Sequence, residues 1–269
     1  MKLAAYQFGV TGDMHRNMNI ICKAVELAAQ QKAELIIFPE CAITGYPPRD
    51  IDKADNIDRA AVETALDELQ RLSDSFGISI IAGTVIYDEQ YYNRAYVFIP
   101  GQSPSWYGKR ALYGWDEDNF VPGKEIGIFK IGECTVGVRI CFEVRFPEYF
   151  RELYREHTDL NIVLFFDAAD SDDTERYNLI RSHLLTRAVE NVTPFLSVNA
   201  ITSFQTAPTC FVDPSGRVLA ELKRNTEGLL IYDYEKSEPD FGEKGRLRYS
   251  DALVLNEKQD TLCNKTRNK

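Results

Sequence analysis

Thr135-Val-Gly-Val-Arg-Ile140 runs directly into Cys141-Phe-Glu-Val-Arg-Phe-Pro-Glu148. The first part is apolar and β-branched, as a buried strand requires, and the second is polar with a proline that suits the first turn of a helix. A strand that ends in a thiol and turns at once into a helix places that thiol near free backbone amides, exposed enough to act as a nucleophile. The competing reading, a small core hydrophobe at a strand end, holds for most isolated cysteines. Two other segments decide against it.

Leu35-Ile-Ile-Phe-Pro-Glu40 is a buried-type strand that places a carboxylate at its C-terminal end, where α/β layers collect their catalytic groups. Trp106-Tyr-Gly-Lys109 is a short extended stretch that delivers a lysine just before the loop Gly114-Trp-Asp-Glu-Asp-Asn-Phe-Val-Pro-Gly123. Taken singly, such a glutamate or lysine is more often solvated. Here Glu, Lys and Cys each close an extended segment.

With these motifs the chain resembles the nitrilase, or carbon-nitrogen hydrolase, superfamily. Arg187-Ala-Val-Glu-Asn191 and Asp213-Pro-Ser-Gly216 extend the likeness along nearly the whole sequence. The resemblance implies a four-layer α-β-β-α sandwich of the α/β class. It also implies a triad in which Glu40 is the general base, Lys109 stabilises the oxyanion and Cys141 is the nucleophile. A second glutamate carried by many members falls on Glu117, flanked by Asp116 and Asp118. The expected oxyanion- and substrate-binding positions are Phe142, Arg145 and Ala168.

The chemistry suits these residue types in its own right. Attack on an amide carbonyl needs a strong nucleophile, a proton shuttle to the departing nitrogen, and positive or N–H-rich surroundings for the oxyanion. Cys141, Glu40 and Lys109 supply them, and the N–H of Phe142 is the natural further donor. A glutamate beside a lysine is ordinarily a strong acid, so Glu40 needs burial or a second negative neighbour to shuttle protons near neutral pH. Glu117 is expected to be that neighbour.

The rest of the chain alternates regularly. Met14, Met18, Ile21, Val25 and Ala28 mark a helix capped by Asp13; Val62, Leu66, Leu69, Leu72 and Phe76 mark another, stopped by Gly77. Strands are expected at 78–86, 95–99, 105–109, 126–131, 161–166, 194–198 and 229–233, with helices from about Pro147 and over Tyr177 to Glu190. No linker divides the 269 residues, so one domain is read throughout, with a charged tail from about 235 to 269.

Composition excludes several classes. Net charge is −10 and no basic stripe carries interleaved aromatics, which disfavours nucleic acid. No apolar run approaches the roughly 20 residues of a membrane span, and no signal peptide or phosphate-binding glycine loop is seen, so a cytoplasmic protein without a cofactor is expected. Cys22, Cys41, Cys134, Cys141, Cys210 and Cys263 are scattered, which argues for reduced thiols. Cys41, next to Glu40, is the competing nucleophile; on the alternation of successive side chains it is expected to point away. His15, His157 and His183 lack ligand spacing, so no metal is expected.

Substrate choice is less sharply written. Phe142 after the cysteine resembles the aromatic of amidases acting on small carboxylic acid amides, including omega-amidase-like members. Arg145 suits either a substrate carboxylate or, by the more economical reading, an ion pair with Glu143 or Glu148. The run Asp167-Ala-Ala-Asp-Ser-Asp-Asp173 predicts an acidic rim that repels carboxylates and admits neutral or cationic amides. The expected partners are a small amide and water, and the resemblance implies a homodimer or higher homo-oligomer. The alternatives are an N-carbamoyl amine hydrolase, a silent scaffold on the same fold, and a thiol redox sensor, which would need a resolving cysteine nearby.

Overall fold

A computed structural model describes residues 1–201 and 204–255. In chain order the elements are β1 (Lys2–Gln7), α1 (Met14–Gln30), β2 (Leu35–Ile37), α2 (Arg59–Phe76), β3 (Ser79–Asp88), β4 (Gln90–Phe98), β5 (Ser105–Gly108), α3 (Trp115–Asn119), β6 (Ile128–Ile131) and β7 (Cys134–Ile140). They continue with α4 (Pro147–Arg155), β8 (Leu160–Phe165), β9 (Ala168–Ala169), α5 (Thr174–Asn191), β10 (Phe195–Asn199), β11 (Phe204–Gln205), β12 (Cys210–Val212), β13 (Val218–Glu221), β14 (Gly228–Asp233) and α6 (Phe241–Ser250). One six-stranded sheet has the order β14-β1-β2-β3-β4-β5, a second the order β13-β12-β10-β8-β7-β6, and β9 and β11 form a small ribbon.

Side-chain alternation builds the layers. Leu3, Leu35, Ile37 and Ile81 of the first sheet meet Val138, Ile140, Ile162, Leu164 and Val198 of the second in one buried core. Their neighbours Ala4, Ile36, Ile80 and Ala82 face outward into the layer of α1 and α2. Val163, Phe165 and Phe195 likewise face outward, toward α4 and α5. Both central sheets are therefore buried on two faces, which explains strands that read as continuous apolar runs. The sandwich is the one expected: α, β, β, α.

Caps fall where the sequence places them. Asp13 accepts the Arg16 N–H at the start of α1, and Gly77 closes α2 in the left-handed region at φ 63°. Strand β14 is not a neighbour of β13; it crosses back and pairs antiparallel with β1. The segment expected to be a charged tail contains α6, whose N-cap Asp240 and Glu243 form a reciprocal capping box. Tyr154 donates to Asp251 at 2.6 Å, fastening this helix to α4. Tail residues 256–269, Cys263 among them, lie outside the described residues.

Candidate active site

The seam between the two sheets brings Glu40, Lys109 and Cys141 together. Glu40 follows β2 on a turn pressed so tightly against Gly83 that a Cβ there would lie 2.5 Å from the Pro39 carbonyl oxygen and 2.6 Å from the Glu40 Cα. Lys109 follows β5, its N–H donating to the Asn93 carbonyl at 2.9 Å. Cys141 follows β7 and holds φ at +46°, an uncommon conformation for a residue with a Cβ. Such local strain at a strand-to-helix turn is typical of functional positions.

Glu40 is fully buried, and its carboxylate is fully engaged. Oε1 accepts from Lys109 Nζ and from Asn93 Nδ2, each at 2.7 Å, and Oε2 accepts the Phe166 N–H at 2.9 Å. Lys109, 2 % exposed, also places Nζ 2.7 Å from Asp116 Oδ2. The Tyr46 hydroxyl donates to the other Asp116 oxygen at 2.7 Å, and the Tyr46 ring stacks on Phe166 with centroids 4.8 Å apart. One buried cation thus lies between two buried carboxylates.

Protonation follows from that arrangement. Burial pushes the Glu40 carboxyl up, Lys109 pulls it back, and Asp116 pushes it up again, leaving it above its ordinary value. Burial works against the Lys109 charge, but Glu40 and Asp116 outweigh it and hold the ammonium firmly protonated. Burial and then Glu40 push the Cys141 thiol well above its ordinary value, against the pull of Lys109 and of the Phe166 N–H. Cys141 is therefore held as a thiol beside a buried carboxylate and a buried ammonium.

The second carboxylate is Asp116, not Glu117. Glu117 is exposed and turns back to accept the Gly114 N–H at 3.1 Å, capping the short helix α3. With φ 60° at Gly114, α3 enters so that its second residue faces Lys109 and its third faces solvent. Asn93 and Tyr46 carried no sequence signal for this site. Cys41 packs with Ala54, Val85 and Phe120, away from the pocket, and Cys22, Cys41, Cys134, Cys141 and Cys210 are all free thiols. Among the described residues no cluster of His, Cys, Asp or Glu converges as a metal site would.

Cys141 opens into a pocket of about 180 Å³, below the usual size of drug-binding cavities and suited to a small acyl group. Phe142, Arg145 and Ala168 all line it, with Arg49, Tyr113, Trp115 and Arg176. The expected acidic rim is neutralised. Asp167 pairs with Arg176 at 2.9 Å, Asp170 with Arg49 at 2.8 Å and Asp172 with Arg224 at 2.8 Å, while Asp173 caps α5 through the Arg176 N–H. The lining carries four cationic side chains, Arg49, Lys109, Arg145 and Arg176, against the carboxylates of Asp116 and Asp167.

Arg145 also departs from its expected ion pair. Glu143 is taken by backbone N–H groups and Tyr107, and no carboxylate of the described residues lies within ion-pair distance of Arg145. Its guanidinium sits 5.7 Å from the Phe142 ring centre, at the pocket wall.

The carbon-nitrogen hydrolase family model matches residues 2–238. The chain is 28 % identical to the 2-oxoglutaramate amidase of Bacillus subtilis over 81 % of this chain and 82 % of that protein. It is 32 % identical to the glutamine-dependent NAD(+) synthetase of Thermotoga maritima over 51 % of this chain, and spans only 24 % of that longer protein. Among solved structures, the NitN amidase of Nesterenkonia sp. AN1 superposes with a TM-score of 0.78 at 25 % identity, covering 100 % of this chain and 99 % of that one.

Proposed function

The chain belongs to the carbon-nitrogen hydrolase family, and we propose that it is an amidase releasing ammonia from a small acid amide through a Cys141 thioester. The observation that carries this is the buried Glu40–Lys109–Asp116 cluster at the wall of a pocket that holds Cys141. In the first step the Cys141 sulfur bonds to the amide carbon while its proton passes to Glu40. The carbonyl electron pair moves onto oxygen, opposite the Lys109 ammonium and the Phe142 N–H. Glu40 then gives its proton to the nitrogen, the C–N bond breaks and ammonia leaves. Water adds to the thioester carbon with its proton passing to Glu40, the carbonyl re-forms as the C–S bond breaks, Glu40 returns its proton to the sulfur, and the acid departs.

Lys109 stays charged throughout, held by two carboxylates, so it serves as a fixed electrostatic partner rather than a proton donor. Asp116 takes the part assigned in the sequence to Glu117: it offsets the pull of Lys109 on Glu40 and keeps the base weakly acidic. The substrate reading also changes. With the rim aspartates paired and Arg145 facing the cavity without a carboxylate partner among the described residues, the pocket suits an acyl chain that ends in a carboxylate, as the name of the Bacillus relative also suggests.

The test compares wild type and Cys141→Ala on propionamide, succinamate and an N-carbamoyl amine, following ammonia, carbon dioxide and intact mass. Cys141-dependent ammonia without carbon dioxide, fastest on succinamate, together with an acyl adduct, supports the proposal. Carbon dioxide released with ammonia would replace it with carbamoyl hydrolysis, and no turnover or adduct on any of the three would count against an enzymatic role for the site.

A further inference from the structure

Glu143 has no part in the chemistry above, yet it is fully buried two residues beyond Cys141 in the same short helical turn. Its Oε2 accepts the N–H of Ile140, the residue before the nucleophile, at 2.8 Å. Its Oε1 accepts the Tyr107 hydroxyl at 2.7 Å, the Arg110 N–H at 2.8 Å and the Ala111 N–H at 3.4 Å. Tyr107 and Arg110 bracket Lys109. Tyr107 belongs to β5 in the first sheet and Ile140 to β7 in the second.

Burying a carboxylate is costly unless its oxygens are satisfied, and one strand end could have supplied enough donors. Instead the donors are divided between the two strand ends that present the cation and the nucleophile. We propose that Glu143 is a positioning residue that fixes the register of Lys109 against Cys141 across the seam between the sheets. This rests on the reading of those two residues as the reacting pair.

The carboxylate accepts at both oxygens, and every partner is a donor. A glutamine of the same shape carries an NH₂ in place of one oxygen. Turned either way, it sets that NH₂ against the Ile140 N–H or against the Tyr107 and Arg110 donors, so one of the two ends is released. Displacing a reacting group by about 1 Å costs on the order of 10²-fold in rate.

The experiment measures kcat and KM on succinamate, and the pH dependence of Cys141 alkylation by iodoacetamide, in Glu143→Gln, Glu143→Asp and Tyr107→Phe, with near-ultraviolet circular dichroism to establish native packing. In natively packed Glu143→Gln, kcat should fall about 10²-fold with KM little changed, and the alkylation profile should move, because the thiol feels Lys109 and Glu40 through their distance. Tyr107→Phe removes one donor of the clamp and should cost about fivefold in kcat, the equivalent of one ordinary hydrogen bond. Glu143→Asp, which keeps both accepting oxygens, should recover part of the loss. A natively packed Glu143→Gln with wild-type kcat and alkylation profile would overturn the proposal. If that variant does not fold, a natively packed Tyr107→Phe unchanged in both readouts overturns it instead. Absence of Cys141-dependent turnover in the wild type would overturn the amidase reading as well, so the two failures are told apart.

Discussion

Asp116 Oδ2 lies 2.7 Å from Lys109 Nζ, the same distance at which Glu40 Oε1 meets that ammonium from the other side. The lysine is thereby held between two carboxylates on buried ground, and Glu40 shares its counter-ion with a competitor. Burial first, and then this second carboxylate, hold the Glu40 carboxyl above its ordinary value against the pull of Lys109.

Asp116→Asn should lower kcat by about 10²-fold, the lower end of what proton transfer by the Glu40 it tunes contributes. Asp116 pushes Glu40 up, so its loss lets Glu40 titrate lower, and the acid limb of the kcat/KM profile should move to lower pH. Glu117→Gln keeps an oxygen for the Gly114 N–H and should behave as wild type in both respects. The reverse pattern, with the larger loss at Glu117, would restore the assignment made from sequence.

The pH dependence of the wild type has a definite sign. In the proposed mechanism Glu40 must be ionised to take the thiol proton, and its carboxyl is raised above 4.5, so activity should fall as pH drops through a midpoint above that value. Glu40→Gln should reduce turnover about 10³-fold. Because Glu40 pushes the Cys141 thiol up, the same variant should alkylate faster with iodoacetamide at pH 8 than the wild type. A thiol that becomes more reactive while hydrolysis collapses would separate the electrostatic effect of Glu40 from its proton transfer.

Gly83→Ala tests the packing behind the base. The added methyl would meet backbone atoms of Pro39, Glu40 and Cys41 at 2.5 to 2.6 Å, which no side-chain rotation relieves. Destabilisation of about 1–3 kcal/mol is expected, with a disproportionate loss of kcat in the protein that remains folded. Thermal unfolding and active-site titration on the same sample check both.

Arg145→Ala should raise KM for succinamate about tenfold or more, in line with a lost hydrogen bond to a charged group, and leave propionamide nearly unchanged. Equal effects on both substrates would remove Arg145 from carboxylate recognition and leave it a place in the pocket wall.

Much of this arrangement was legible in the chain because its signals are local. Glu40, Lys109 and Cys141 each end an extended run, and Asp13 and Gly77 mark helix boundaries by chemistry confined to a few residues. Three features were not local. Which of Asp116, Glu117 and Asp118 faces the lysine depends on the entry angle of a one-turn helix, and that angle is set at Gly114. Asn93 lies in a long hairpin where a polar residue ordinarily reads as solvent-facing; it becomes visible only when β4 is seen to pass beside Glu40. The acidic run from Asp167 looked repulsive because two of its neutralising partners, Arg49 and Arg224, lie far away in sequence. The helix α6 was hidden by a composition with few large apolar residues, which made capping its clearest local cue.

Glu40 and Lys109 stand on one sheet; Cys141 and the Phe166 N–H stand on the other. Neither half of the molecule therefore owns a weaker version of the centre that could work alone. On the proposed mechanism turnover requires both halves to be docked, so catalysis is itself a reporter of that docking.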